Sequence, residues 1–227
     1  MLLGEVNTHI PDGLMDPVVV GLGWAIALPF IALAVYKLNK KVDERMVPFM
    51  AILAAGIFVA QMLNFPVGGG TTGHLVGAAL AVILLGLYGG ILVLTTILVI
   101  QCLVFGDGGL TALGLNLLNM AVIAPLVSYG VLRLLKKHQS LAVPLAAWAS
   151  VFLAALACGL LLALSYTISG GDFGIVASVS IPAMAGWHAI IAIGEALITT
   201  GVVVFISRVA PEMLEMGKNQ EVKEAVV

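Results

Sequence analysis

The 227-residue sequence predicts an all-helical, polytopic membrane protein. It has seven transmembrane helices, an outside N-terminus and a cytoplasmic C-terminus. Three observations carry the prediction. Hydrophobic residues make up 61% of the chain and charged residues only 10%, against about 25% charged in soluble domains. Mean hydropathy is +1.15, so too few polar side chains exist to coat a globule in water. Long stretches carry no charge at all, and the basic residues between them are grouped. This composition excludes a soluble enzyme, a nucleic-acid binder and a disordered chain.

Each crossing needs about 20 apolar residues, with about 17 as a minimum. The first such stretch runs from Pro17 to Tyr36. From Met46 to Gly106 there is no Asp, Glu, Lys or Arg, which is too long for one or two helices. NFPVGGGTTGH (Asn64–His74) interrupts it, because Pro and clustered Gly do not continue a helix. LYGG (Leu87–Gly90) interrupts it again. Further apolar runs follow, so the spans are expected near 17–36, 46–63, 74–87, 89–105, 111–133, 142–168 and 187–207.

Charge tests that count. Lys37, Lys40, Lys41 and Arg45 follow the first span, Arg133, Lys136 and Lys137 the fifth, and Arg208, Lys218 and Lys223 the seventh. With seven spans all ten basic residues fall on one side, and basic residues at membrane ends stay cytoplasmic. One long helix over 75–105 would put Arg133–Lys137 opposite Lys37–Arg45. Parity therefore favours the break at LYGG.

The external side then carries Glu5, Asp12, Asp16, Asp107 and Asp172, no Lys or Arg, and three of the four histidines: His9, His74 and His188. His138, in KKH, belongs to a cytoplasmic basic loop. A face with acids, imidazoles and no cations lowers the electrostatic cost of gathering a metal cation. Imidazole suits Zn, Cu, Ni and Co better than Mg or Ca. His9 lies in THIPDG, where Pro11, Asp12 and Gly13 form a turn signal that lets the arm fold back. His74 closes the loop GGGTTGH, and irregular backbone at membrane depth is tolerated only where it is buried or lines a cavity. His188 sits at the outer end of the last span, with Glu195 two helical turns on and on the same face.

Glu195 is the one ionisable residue inside any expected span, and such a carboxylate is by default functional. Three roles are open: accepting an N–H from a metal-bound histidine, acting as a coupling acid, or tethering another helix. Asn64, Gln61, Gln101, Asn116 and Asn119 lie near the outer halves of spans, where interhelical hydrogen bonds or a polar pocket wall both account for them. In FGDGG (Phe105–Gly109), Asp107 reads as a turn or cap residue. Cys102 and Cys158 sit in apolar runs and read as small buried hydrophobes, not a disulfide or a metal pair. No HExxH, GxSxG or GxxxxGK[ST] occurs, so intramembrane proteolysis and self-powered ATP hydrolysis lack residues.

Four ordered motifs then converge: HIPDG (His9–Gly13), NFPVGGGTTGH (Asn64–His74), FGDGGLTALGLNLLNM (Phe105–Met120) and WHAIIAIGEALIT (Trp187–Thr199). Together they resemble the substrate-binding membrane subunits, or S-components, of energy-coupling-factor nickel/cobalt transporters. The resemblance implies a seven-helix plasma-membrane subunit of a prokaryote that captures Ni2+ or Co2+ from outside and is not itself an enzyme. It implies as partners a transmembrane coupling subunit, two cytoplasmic ATPase subunits and a small accessory membrane subunit. Residues 1–16 would form an external metal-binding arm, 17–208 the bundle and 209–227 a cytoplasmic tail.

In that family the metal is held by the N-terminal amine, the next backbone nitrogen, that residue's imidazole and the histidine of the Gly-Thr-x-Gly-His loop. Four nitrogens in a plane suit Ni2+. The resemblance thus implies His9 and His74 as ligands, with the Thr8 nitrogen joining them if the chain is trimmed. The segment MLLGEVN precedes Thr8 and has neither a basic start nor an apolar stretch of signal-peptide length. His188, Glu195, Asn64 and Asn119 are secondary candidates. Two other functions compete: a secondary cation transporter using Glu195 as its coupling acid, and an S-component for an organic micronutrient, which would want a more aromatic pocket than 7% aromatics supply.

Overall fold

The computed structural model describes residues 9–39, 46–63, 65–67 and 71–215. Among the described residues the α-helices are α1 (Pro17–Asn39), α2 (Met46–Met62), α3 (Ala78–Phe105), α4 (Leu113–Asn116), α5 (Ala124–Leu134), α6 (Gln139–Ile168) and α7 (Ala177–Val209), with 211–215 helical beyond them. A π-helical stretch, Leu117–Ile123, joins α4 to α5 without a break. Five helical stretches of the described residues are long and apolar enough to cross a membrane, and Met46–Met62 adds a shorter one. The protein is a multi-pass membrane protein.

Local sequence explains where the helices start. Pro17 supplies a first helical position whose missing N–H costs nothing, and Asp16 caps the turn by accepting the Val18 N–H at 2.8 Å. α7 begins at Ala177, ten residues ahead of the expected 187, because Pro182 lies inside the helix rather than ending it. His188 therefore sits within α7, not at its outer end. The segment expected as a plain loop contains a small antiparallel hairpin, β1 (Phe65–Val67) with β2 (Thr71–Gly73). Pro66 and the β-branched Val67, Thr71 and Thr72 favour extended backbone there. The third helix starts at Ala78 rather than 74, so His74 lies in the coil between β2 and α3.

The 28 residues of α3 are not one straight rod. Gly86 leaves helical geometry (φ 74, ψ 180), one residue before the expected LYGG interruption. A Cβ on Gly90 would lie 3.0 Å from the Val82 side chain, although eight residues span about 12 Å of straight helix. The ends of the segment confirm the reversal. Gln61 donates to the Val76 carbonyl at 2.7 Å and accepts from Gln101 at 2.9 Å, whereas 25 residues of straight helix would separate 76 from 101 by about 37 Å. The pieces 78–85 and 87–105 thus fold back on each other at a position only glycine fills without strain.

This hairpin is the centre of the molecule. Leu84, Leu85, Leu94, Ile97 and Leu98 are buried, and so are the alanines where helices meet, including Ala27, Ala34, Ala81, Ala146 and Ala147. Small residues at such contacts let backbones approach where lipid offers no hydrophobic drive. Large apolar side chains such as Ile52, Leu197 and Phe205 point outward instead.

Candidate metal centre

The arm before α1 is laced to the segment 106–116. Ile10 and Asn116 exchange two hydrogen bonds: the Ile10 N–H donates to Asn116 Oδ1 at 3.0 Å, and Asn116 Nδ2 donates to the Ile10 carbonyl at 3.2 Å. The Gly109 N–H also donates to the Ile10 carbonyl, at 2.9 Å. Asp12 then accepts from the Leu110, Thr111 and Ala112 N–H groups (2.9, 2.8 and 3.2 Å) and from the Thr111 hydroxyl. A carboxylate borrowed from the arm therefore caps the helix that opens at Leu113, where unpaired N–H groups favour negative charge. These bonds, the Thr111 hydroxyl foremost, hold the Asp12 carboxyl below its ordinary range.

Two glycines make this docking possible. A Cβ on Gly109 would lie 2.3 Å from the Asp12 backbone nitrogen, and one on Gly108 would lie 2.9 Å from His9 Cβ. Gly108 is also left-handed (φ 90), which suits glycine. The arm can seat only against bare backbone.

So seated, His9 is buried, and its ring lies 5.2 Å from that of His74, edge to face at 79°. His9 Nδ1 is 3.5 Å from the Asp107 carboxylate. Asp107, read from the sequence as a turn or cap residue, thus also stands behind a candidate ligand. A carboxylate there orients an imidazole and raises its basicity.

His74 Nδ1 lies 2.9 Å from the Leu75 carbonyl. A carbonyl only accepts, so Nδ1 carries the proton and Nε2 the lone pair. Burial first, then the neighbouring His9 ring, presses the His74 imidazole down to about 4. It is neutral, as a metal ligand must be.

Both rings line a cavity of about 90 Å3, together with Asn116, Asn119, Met120, Cys158, Met184 and His188. His9, His74 and His188, 65 and 114 residues apart in sequence, meet there. His188 Nδ1 is 2.9 Å from the Met184 carbonyl, which again leaves Nε2 as the acceptor. Asn119, in the π-helical stretch, is buried, and its Oδ1 has no hydrogen-bond partner among the described residues. π-turns often mark functional positions.

Among the described residues no group of three or more His, Cys, Asp or Glu is gathered as a metal cage. Thr8 and Asn64 lie outside the described residues. Both cysteines are free thiols, and Cys158 lines the cavity.

Glu195 does not line this cavity. It is buried, and its two oxygens accept the Val76 and Gly77 N–H groups at 2.8 and 2.7 Å. Sequence reasoning placed Asp12 in the arm and named Asn116 and Gln61, but it did not connect Asp12 to 110–112, Asn116 to the arm or Gln61 to the loop. The juxtaposition of HIPDG and FGDGGLT was the available signal, since an acid beside a turn suits a glycine-bordered helix start elsewhere.

Known proteins resemble this chain in sequence and fold. A family model described as the cobalt uptake substrate-specific transmembrane region, CbiM, matches residues 9–213. Over 208 residues the chain is 41% identical to an Archaeoglobus fulgidus protein whose name marks it as a candidate fused nickel transport protein, NikMN, covering 91% of this chain and 68% of that one. It is 32% identical over 202 residues to the cobalt transport protein CbiM of Acetoanaerobium sticklandii, covering 84% and 80%. A crystal structure of a transition metal transporter superposes with a TM-score of 0.84 at 37% identity, covering 94% of this chain and 99% of that one. With a match that spans the arm, the histidine loop and every helix, this chain belongs to the family of cobalt-uptake substrate-specific transmembrane proteins.

Proposed function

We propose that the chain is the substrate-capture subunit of an ATP-driven importer for Ni2+ or Co2+, binding the cation from outside through His9 and His74. The observation that carries this reading is the meeting of those two rings, 5.2 Å apart, at a cavity that His188 also lines. Family membership and the names of the relatives supply the metals.

Thr8 would complete the set through its nitrogen once the chain is cut after Asn7, because a free amine is a far better donor than an amide. His188 and Asn119 serve as further contacts within the cavity, and Asn64 belongs to the same loop as His74. Residues 1–16 act as the metal-binding arm, 17–208 as the bundle and 209–227 as the tail.

The fold-back at Gly86 supports the sidedness read from charge: with the segments before and after Gly86 counted separately, every Lys and Arg falls on one side, and basic residues at membrane ends stay cytoplasmic. The arm and the cavity then face outward. Energy comes from partners: a transmembrane coupling subunit, two cytoplasmic ATPase subunits and a small accessory membrane subunit. The chain itself performs transport, not catalysis. The coupling-acid reading of Glu195 loses support because both of its oxygens are held by backbone amides.

Titration of the purified full chain with Ni2+ and Co2+, after sequencing its N-terminus, tests the assignment. His9→Ala and His74→Ala should each lower affinity by at least a hundredfold, and His188→Ala by less. Tight binding that survives loss of either His9 or His74 would sink the proposal.

A further inference from the structure

We infer that Glu195 is a positioning residue for the His74 loop, acting from within the bilayer without touching the cargo. This rests on the reading of His74 as a ligand and explains what holds that ligand in place. His74 lies in coil, and two and three residues later the Val76 and Gly77 N–H groups donate to the two Glu195 oxygens at 2.8 and 2.7 Å. Glu195 is 1% exposed.

The carboxylate sits at the N-terminal end of α3, where the first N–H groups lack helical partners and the dipole is positive. Gly77 caps that end in the left-handed region (φ 75). The third polar group of the loop is tied as well, since the Val76 carbonyl accepts from Gln61. Val76, Gln61 and Glu195 are buried, so no water replaces a lost partner, and this one arrangement satisfies the loop's backbone and fixes His74.

The two other roles open to Glu195 fit less well. As a metal ligand it would have to face the histidine cavity, but it lines a separate apolar groove of about 330 Å3 between α2 and α7. As an acceptor for a histidine N–H it would need an imidazole beside it, yet its oxygens meet the Val76 and Gly77 amides while His74 and His188 turn Nδ1 to the Leu75 and Met184 carbonyls. A carboxylate is the chemistry the loop requires: two adjacent donors converge on it, and only a group with two acceptor oxygens meets both. Glu195→Gln keeps the shape but turns one oxygen into a donor that faces another donor.

Hydrogen exchange on the full-length chain in detergent, without metal, reads the latch directly. In E195Q the amides of 74–80 should exchange at least tenfold faster, with the other helices unchanged. Ni2+ affinity should fall about tenfold, while the d–d absorption band of the Ni2+-saturated protein keeps its wild-type position. Unchanged exchange in 74–80 would overturn the inference, and a shifted band would make Glu195 a ligand instead. Should E195Q not fold, Gln61→Leu frees only the Val76 carbonyl and should speed exchange in the same segment by a smaller factor; no change there overturns the inference equally. Failure of the ligand assignment is separable. His74→Ala with undiminished Ni2+ binding would remove the ligand and leave the metal-free exchange result standing.

Discussion

The two histidines at the cavity are held in opposite ways. His9 is buried but rides on an arm fastened by many modest polar bonds, several of them exposed. Asp12 meets four donors, Asn116 clasps Ile10, Ser165 Oγ accepts the Asp16 N–H at 2.7 Å, and the Leu14 carbonyl accepts from Gly174 at 2.8 Å. His74 rides on a loop buried among helices, fastened by one carboxylate and one amide. Each exposed bond of the arm competes with water and nets about 0.5–1.5 kcal/mol. A bond among the buried Val76, Gln61 and Glu195 faces no such competitor, so its loss strands a polar group. Support for His9 is spread over many contacts, and support for His74 is concentrated in few. The arm should thus tolerate loss of any one side chain but not loss of its seat.

Removing the seat is the severest test of that contrast. Gly109→Ala sets a methyl 2.3 Å from the Asp12 backbone nitrogen, and no rotamer change relieves a clash with backbone. The arm must lift, taking His9 and the amide contacts with it. Ni2+ affinity should fall at least a hundredfold, while the melting temperature changes little because the helical core is untouched. Isothermal titration and a thermal scan on one preparation decide it. Affinity within threefold of wild type would mean the arm does not need this seat.

Removing one fastener should cost much less. Asp12→Ala deletes an external helix cap, worth about 1 kcal/mol, so affinity should drop about fivefold. Its pH behaviour follows from a lowered carboxyl pKa. The folded state holds the charged form more tightly than the unfolded chain does, so the stabilisation is present above the ordinary value of 3.8 and is lost as pH falls through the lower folded value. His74 likewise stays neutral down to about 4. Neither group titrates between pH 8 and 5. A free amine at residue 8 (pKa about 7.7–8.0) would make loss of Ni2+ begin near pH 8. A flat profile from 8 to 5 would argue against the amine.

Part of this contrast was legible in the sequence. Charge-free runs and the grouping of basic residues gave the helices, and parity demanded a break near LYGG. The structure sets that break at Gly86 because local propensity marks a glycine-rich stretch but not which glycine turns left-handed. His9, His74 and His188 were legible as a set because uncommon polar residues in an apolar chain are conspicuous. Their supports were not. The partners of Asp12 lie about 100 residues away in sequence, and Glu195 reaches amides 118 and 119 residues before it. A sequence shows that a buried carboxylate needs a partner; it does not show which backbone will supply one. The start of α7 was missed for a related reason: Pro182 ends helices in water, but within a membrane neighbouring groups offset its missing donor.

The smallest effect on the metal is expected on the outer face of α2, at Ala55. On α2, Ala51, Ala55 and Gly56 face outward and Ala60 is half-buried, so these small residues at i, i+4 spacing are not consumed by packing within the bundle. In lipid such a face permits close backbone approach by another helix, which fits the coupling subunit proposed above. Ala55→Leu adds bulk to this surface and reaches neither the arm nor the His74 loop, since Ala55 lines neither the histidine cavity nor the groove beside Glu195. Ni2+ affinity should stay within twofold of wild type, while the yield of complex copurified with the coupling and ATPase subunits should fall severalfold. Full recovery of the complex would clear α2 of a docking role. Loss of metal binding in the isolated variant would show that the outer face of α2 also bears on the ligands, and the separation drawn between support and docking would fail.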